Sequence, residues 1–381
     1  MEKSGRKTLV LSSSDIEEIV NDIGIDEVMD TLIDRMTLAF IKYDPAQTII
    51  PIRSGFNYIE PNTGLIEWMP LFNKKENQVV MKMVGYHPDN PADFKLPTIV
   101  STISSYDTRT GHLVGLMDGV FLTALRTGAA SAMASRILGH PESAVLGLIG
   151  CGAQSITQLH AISRLFDLKK VLFYDNDPAT SDSFIERAAM LNLKTEFIPM
   201  SIDLLVEQSD IITTATSLGV GEGPLFSNLN TKKHLHINAV GSDFPGKTEL
   251  PIDLLKDSCV VPDFKEQAIK EGECQQMDLA DIGPEFFECI QNKEKYQALK
   301  NQRTVFDSTG LPLEDQVVMD LFLEYAEQLG LGYSMSIEKL SKDAKSPYDF
   351  MYLNKAESIK KELPIDSITP AERQAKVRIN K

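Results

Sequence analysis

The chain has 381 residues, 43% of them apolar and 24% charged, a balance that provides for one large domain or two ordinary ones with buried cores. Its formal charge of −16 argues against broad contact with nucleic-acid phosphates or anionic lipid, which select clustered Lys and Arg, and leaves a small molecule as the expected partner. Four cysteines (Cys151, Cys259, Cys274, Cys289) show no metal-ligand spacing, no apolar run reaches the roughly 18 residues of a membrane span, and the N-terminus lacks a signal-peptide core, so a reduced, cytoplasmic, metal-free protein is expected.

Helix signals fill the first 40 residues: "SSSDIEEIV" offers Ser14 and Glu17 as a capping box, and "IDEVMDTLIDRMTLAF" has apolar residues at helical spacing. From about Thr48 to Leu116, short apolar or alternating segments broken by turns ("TIIPIRSGF", "GLIEWMPLF", "QVVMKMVGY", "TIVSTISSY", "HLVGLMDG") predict one antiparallel sheet region. Three cations sit there and just beyond in apolar surroundings: Arg53, Lys82 and Arg126. A charge buried alone is costly, so each needs a partner, either a structural acid or the carboxylate of a small anionic substrate. Glu67 in "GLIEWMP" poses the same question with opposite sign. His87 reads as a loop residue, because no second His or Cys stands at metal spacing. A helix follows from Asp118 as N-cap to Gly139, and its small residues from Gly128 to Ala132 admit close approach of another backbone or a ligand.

After "GHPES" short strands alternate with helical segments, the signature of a doubly wound parallel sheet. "VLGLIGCGAQS" places Gly150 and Gly152 between a strand and a helix, where free backbone N–H groups and the helix dipole favour a pyrophosphate; Ser155 stands where the usual fingerprint has a third glycine. "KKVLFYD" ends the next strand on Asp175, placed either to accept hydrogen bonds from adenosine ribose hydroxyls or to cap the "DNDPAT" turn. In the ribose role it repels a 2′-phosphate, which predicts NAD over NADP. "DFKEQAIKEGECQQM" reads as a charged helix, and "LPLEDQVVMDLFLEYAEQLG" as an amphipathic one with Val317, Val318, Leu321, Phe322, Tyr325 and Leu329 on one side. The expected organisation is α/β: a substrate-binding and dimerisation domain over 1–143, a Rossmann-type domain over 144–303, a return over 304–340, and a charged extension over 341–381.

Taken together, "GLIEWMP", "MKMVGYHPDNP", "LTALRTGAASA", "LIGCGAQS", "FYDNDP", "DIITTAT", "HINAVGSDFPGKTEL", "KEGECQQ" and "VFDSTG", in this order over about residues 45 to 330, resemble the ornithine cyclodeaminase and mu-crystallin family. The resemblance looks closest to the bacterial ornithine cyclodeaminases. It implies a Rossmann domain inserted into an α+β domain, a homodimer, NAD as cofactor and a small amino acid as substrate. It implies that Arg53, Lys82 and Arg126 hold the substrate carboxylate, that Glu67 lines the substrate pocket, and that Asp243 is the catalytic carboxylate. Thr98, Gly150, Gly152, Ala153, Gln154, Asp175, Thr216, the backbone of Asn238, Ala239, Val240 and Gly241, Lys247 and Ser308 would contact the cofactor. Thr309 falls beside the substrate, where the ornithine enzymes carry an apolar residue, and this departure bears on which amino acid is accepted.

The reaction so implied is the conversion of L-ornithine to L-proline and ammonia, with a hydride removed from Cα and later returned, so that net redox change is zero. Lysine cyclodeaminase, ketimine reductase and amino-acid dehydrogenase are alternatives on the same scaffold. A mu-crystallin-like binding protein is the alternative of a different class.

Overall fold

The computed structural model describes residues 6–227, 230–339 and 344–348. All but five residues of the expected extension over 341–381 therefore lie outside the described residues. The compact unit Lys7–Ile337 holds two sheets. In chain order it contains β1 (Thr8–Leu11), α1 (Ser13–Ile23), α2 (Ile25–Ile41), β2 (Thr48–Ile49), β3 (Ser54–Tyr58), β4 (Gly64–Asn73), β5 (Gln78–Tyr86), β6 (Ile99–Asp107), β7 (His112–Asp118) and α3 (Val120–Leu138). Then come β8 (Val145–Ile149), α4 (Ala153–Leu165), β9 (Lys170–Tyr174), β10 (Glu196–Pro199), β11 (Ile211–Thr214), β12 (His236–Ala239), β13 (Cys259–Pro262), α5 (Lys265–Glu271), β14 (Thr304–Asp307), α6 (Pro312–Leu329) and β15 (Tyr333–Met335).

The first sheet has the order β15-β1-β7-β6-β5-β4-β2, with β3 also on β4. Its β2 to β7 portion is antiparallel, as expected, but β1 joins β7 in parallel and β15 adds to β1. Those two strands are only four and three residues long, too short to show a period. Alternation along β4 to β7 sorts the side chains by face. Met69, Leu71, Val80, Lys82, Ile103 and Met117 are buried on the inner face, whereas Phe56, Ile66, Met83 and Val100 are exposed on the outer one. α6 lies against β4 and β5. The α1 capping box is Ser12 with Asp15, two residues ahead of the expected Ser14 and Glu17: Ser12 Oγ accepts the Asp15 N–H and the Asp15 carboxylate accepts the Ser12 N–H at 2.7 Å. Within a run of three serines the helix starts where an acid reaches back to the cap, and Asp15 is the first that does.

Asp118 is the last residue of β7, and Gly119 takes the cap position of α3. The Asp118 carboxylate nonetheless accepts the Val120 N–H at 3.3 Å. What approaches the small residues of α3 is a backbone: a Cβ on Gly128 would lie 2.5 Å from the Thr157 carbonyl oxygen of α4. This contact seats the nucleotide-type sheet against the first domain.

The second sheet has seven parallel strands in the order β10-β9-β8-β11-β12-β14-β13. β14 pairs between β12 and β13, so the parallel sheet continues past Arg303, where the return to the first domain was expected; the chain leaves the sheet after Asp307. Strand order reverses between β8 and β11, and in open parallel sheets the ligand crevice lies at the carboxyl ends of the strands at such a point. Among the described residues no helix is long and apolar enough to cross a membrane.

Candidate active site

The turn after β8 has Gly150 at φ +91°, where a Cβ would lie 2.6 Å from the Ala215 carbonyl oxygen at the end of β11. Gly150 thus lets the loop cross the switch point. Gly152 has the opposite environment, with nothing within 4 Å of where its Cβ would stand. It is the N-cap of α4, with no side-chain cap and no acid in the first turn. The first-turn amides of Ala153 and Gln154, uncapped by any side chain, stand beside this open space at the positive end of a 13-residue helix, a cradle that fits a pyrophosphate. The Gln154 side chain turns away, donating to the Ala124 carbonyl at 3.3 Å and Thr157 Oγ1 at 3.1 Å, and Ser155 Oγ donates to the Gly150 carbonyl.

Asp175, just past the end of β9, accepts the Cys151 N–H at 2.7 Å with one oxygen and the Asp177 N–H at 2.9 Å with the other. It braces the glycine turn as well as its own, and a carboxylate keeps lone pairs for further donors. Ser308, directly after β14, has a buried hydroxyl with no hydrogen-bond partner, a polar atom waiting for a ligand. The other expected cofactor residues are more committed. Thr216 donates both its N–H (2.9 Å) and its hydroxyl (2.6 Å) to Glu249. The Asn238 side chain faces α3, donating to Ser135 Oγ at 2.9 Å and accepting from His236, because alternation turns the residue before a strand's last to the covered face; the expected cofactor contact there is through the backbone. Ala239 ends β12 in pairing with both neighbours, Val240 N–H reaches the Thr214 carbonyl and Gly241 N–H reaches Glu249. Thr98 starts the approach to β6, its carbonyl accepting the His87 N–H at 2.9 Å.

The three cations are gathered, and each already has acid beside it. Lys82 Nζ donates to Asp315 Oδ1 at 2.9 Å, and Arg126 donates to Glu314 at 2.6 Å with Asp315 3.3 Å from its Nε. Arg53 Nε lies 2.7 Å from Glu271 Oε1, its NH1 lies 3.7 Å from Glu67, and its NH2 donates to the Thr309 carbonyl. Arg53 Nε and Arg126 Nε are buried and face Glu271 and Asp315 off hydrogen-bond alignment, so each is held by a close opposite charge and not by a directed hydrogen bond. Burial, together with the neighbouring Arg126 charge, lowers the Lys82 pKa to about 8 despite Asp315. Burial also opposes the charge on Arg126, but Asp315 and Glu314 outweigh it and raise its pKa.

Asp243 sits on the loop after β12 with its side chain one-third exposed and Lys247 Nζ 3.1 Å away. Lys247 is buried and also lies over the Tyr86 ring, 5.4 Å from its centroid. Burial works against the Lys247 charge, yet Asp243, Tyr86 and Glu249 outweigh it and hold the pKa above normal. The predicted cofactor contact is thus the partner of the predicted catalytic acid. Asp243 is near enough to Glu67 and Glu271 to push both upward; burial is the larger cause in each, and it brings Glu271 to about 7. Thr309 lies at Arg53, whose NH2 donates to its carbonyl. Its hydroxyl is buried, donating to Asp263 at 3.0 Å and accepting from Gln267 at 2.9 Å.

Glu271, Glu314 and Asp315 were not singled out from sequence. The first lies on α5, read as a charged helix, whose Gln267, Ala268 and Glu271 are in fact buried. The other two open α6, whose first turn is buried on every side, unlike the one-sided stripe expected of it. An acid that follows "PL" at the head of an apolar helix was the available signal.

The model of the ornithine cyclodeaminase/mu-crystallin family matches residues 14–329. L-lysine cyclodeaminase of Streptomyces rapamycinicus is 39% identical over 343 residues, covering 90% of this chain and 99% of that one. A solved lysine cyclodeaminase, studied for recognition of L-lysine, L-ornithine and L-2,4-diaminobutyric acid, superposes with a TM-score of 0.86 at 44% identity, covering 90% of this chain and 99% of its own. An archaeal alanine dehydrogenase dimer with bound NAD gives 0.75 at 26% identity, covering 87% and 100%.

Proposed function

The chain belongs to the ornithine cyclodeaminase/mu-crystallin family, and from that premise we propose that it is an NAD-dependent cyclodeaminase of α,ω-diamino acids, with L-lysine preferred to L-ornithine. Putting ornithine first was the expectation from sequence; 39% identity to an L-lysine cyclodeaminase along nearly its whole length supports the opposite order. The observation that carries the reading is the charge arrangement. Three cations brought together, Arg53, Lys82 and Arg126, suit an α-carboxylate, and the acids beside Arg53 (Glu67 and Glu271, with Asp243 acting on both through its field) suit an additional ammonium.

NAD, in the cradle of Gly150 to Gln154 with Asp175 and Ser308 beside it, would supply the reversible hydride removal at Cα. The protein's own residues supply position and protons. Arg53 and Arg126, with Lys82 adding charge, would fix the carboxylate, and Glu67 and Glu271 would orient the distal nitrogen. Ring closure requires that nitrogen to lose a proton and the departing α-nitrogen to gain one, so one carboxylate near both serves as base and then acid. Asp243 has the exposure and the flanking Lys247 that suit this task.

The test is to incubate the protein and NAD⁺ with L-lysine, L-ornithine, L-2,4-diaminobutyrate and L-alanine singly, following ammonia, cyclic products and absorbance at 340 nm. Ammonia and a six-membered imino acid from lysine, with no net NADH, is the expected result. Stoichiometric NADH from alanine would replace the proposal with a dehydrogenase.

Because Glu271 must be ionised to receive an ammonium and its pKa is about 7, kcat/KM should rise with pH through about 7. Glu271→Gln should lose that limb; a profile that keeps it assigns the ionisation elsewhere. The exposed apolar outer face of the first sheet supports a homodimer, and sedimentation should show Met83→Asp shifted toward monomer, an unchanged mass arguing for another interface.

A further inference from the structure

The loop that carries Asp243 runs from Gly241 to Glu249, and its two ends meet. Glu249 is fully buried, and its carboxylate accepts four hydrogen bonds: Thr214 Oγ1 (2.6 Å), Thr216 N–H (2.9 Å), Thr216 Oγ1 (2.6 Å) and Gly241 N–H (2.9 Å). That satisfies about all the lone-pair sites a carboxylate offers. The approach depends on Gly241, since a Cβ there would lie 2.2 Å from Glu249 Oε1. Glu249's own N–H donates to Glu273 at 2.7 Å, and its carbonyl accepts from Leu225, so the side chain is aimed by its backbone on both sides.

These donors come from the carboxyl ends of β11 and β12. Thr216 follows β11 and also borders the glycine turn, its methyl 3.3 Å from where a Gly150 Cβ would be. Within the loop, Ser242 Oγ donates to the Lys247 carbonyl at 2.6 Å, and Gly246, at φ +83°, donates to Gln275 at 2.6 Å. Asp243 therefore projects from a ring that the Glu249 carboxylate fastens both to the β11 end and to the ring's own starting residue, while Gln275 holds Gly246 and Lys247 from outside.

We propose that Glu249 is the positioning residue for Asp243: it closes the Gly241–Glu249 loop onto the ends of β11 and β12 and so fixes where the proton-transferring carboxylate stands relative to the nucleotide crevice. The proposal rests on Asp243 being the proton carrier. An amide at 249 keeps the shape but turns one acceptor into a donor facing N–H and O–H groups, which loosens the clasp without emptying the site.

The experiment is a double-mutant cycle of Glu249→Gln and Asp243→Asn, read by kcat and KM for L-lysine and by calorimetric NAD affinity. Glu249→Gln alone should lower kcat by about 10- to 100-fold with KM for L-lysine little changed when both are measured at saturating NAD⁺, as expected for a displaced catalytic group. In the Asp243→Asn background it should cost little more, because its effect passes through Asp243. Additive losses, or an unchanged kcat, overturn the proposal. If Glu249→Gln does not fold, Thr214→Val, which removes one of the four donors, takes its place in the same cycle with a smaller but equally non-additive effect. Failure of the functional reading has a different sign: Asp243→Asn would itself turn over normally.

Discussion

Asparagine in place of Asp243 is expected to remove most turnover, about 10²- to 10⁴-fold in kcat, while NAD affinity stays as it was. The substitution is close to isosteric, and an amide oxygen can still accept from Lys247, whose ammonium lies 3.1 Å from Oδ1 and over Tyr86. What disappears is the ability to hold a proton. The side chain is one-third exposed, so the fold should tolerate the change with little loss of stability. NAD affinity should survive because the Gly150 to Gln154 turn, Asp175 and Ser308 share no hydrogen bond with Asp243, and Lys247, the expected cofactor contact that does, still finds an amide oxygen to donate to. Steady-state ammonia release and calorimetry on the same preparation check both halves, and cyclisation of lysine at a near-native rate would transfer the proton role to Glu67 or Glu271.

The parallel sheet was legible because its strands announce themselves locally: each is a short apolar run ending at a turn, and Gly150 is required where the loop passes Ala215. Arg53, Lys82 and Arg126 were legible as cations in apolar segments that must have partners. The identity of those partners was not. Asp315 stands 233 residues from Lys82, and Glu314 stands 188 from Arg126. Acids in a first helical turn are ordinarily explained by the helix dipole, which hides a buried role. Glu249, likewise, looks like a turn residue until β11 and β12 are side by side. Side-chain direction was also not legible: motif position places Asn238 and Thr309 at strand ends but does not say that the first turns to α3 and the hydroxyl of the second to Asp263. Boundaries were the other gap, since β14 belongs to the parallel sheet only through its pairing with β12 and β13, which no local feature of its own four residues announces.

The largest stability effect should come from Asp315→Asn, about 3–5 kcal/mol, because it strands a buried charge and does not merely delete a surface pair. Asp315 is fully buried and serves two cations at once, Lys82 at 2.9 Å and Arg126 at 3.3 Å. Arg126 retains Glu314 at 2.6 Å; Lys82 would be left facing Arg126. The sign of the pH dependence follows. Burial already lowers the Lys82 pKa from 10.5 to about 8, so between those values the unfolded chain binds more protons than the folded one, and this group's contribution to stability rises with pH. Without Asp315 the folded pKa falls further, and the cost of burying the charged form is replaced by the cost of deprotonation, which shrinks as pH rises. The deficit of Asp315→Asn in urea midpoint, at unchanged slope, should therefore narrow from pH 7 to pH 9. A deficit independent of pH would mean that Lys82 is not the stranded charge. A substrate carboxylate should act in the same direction as high pH: if it docks at Arg53 and Arg126 beside Lys82, L-lysine should raise the melting temperature of the variant more than that of the native chain. Equal shifts would separate the buried ion cluster from the substrate site and leave Lys82 a structural cation.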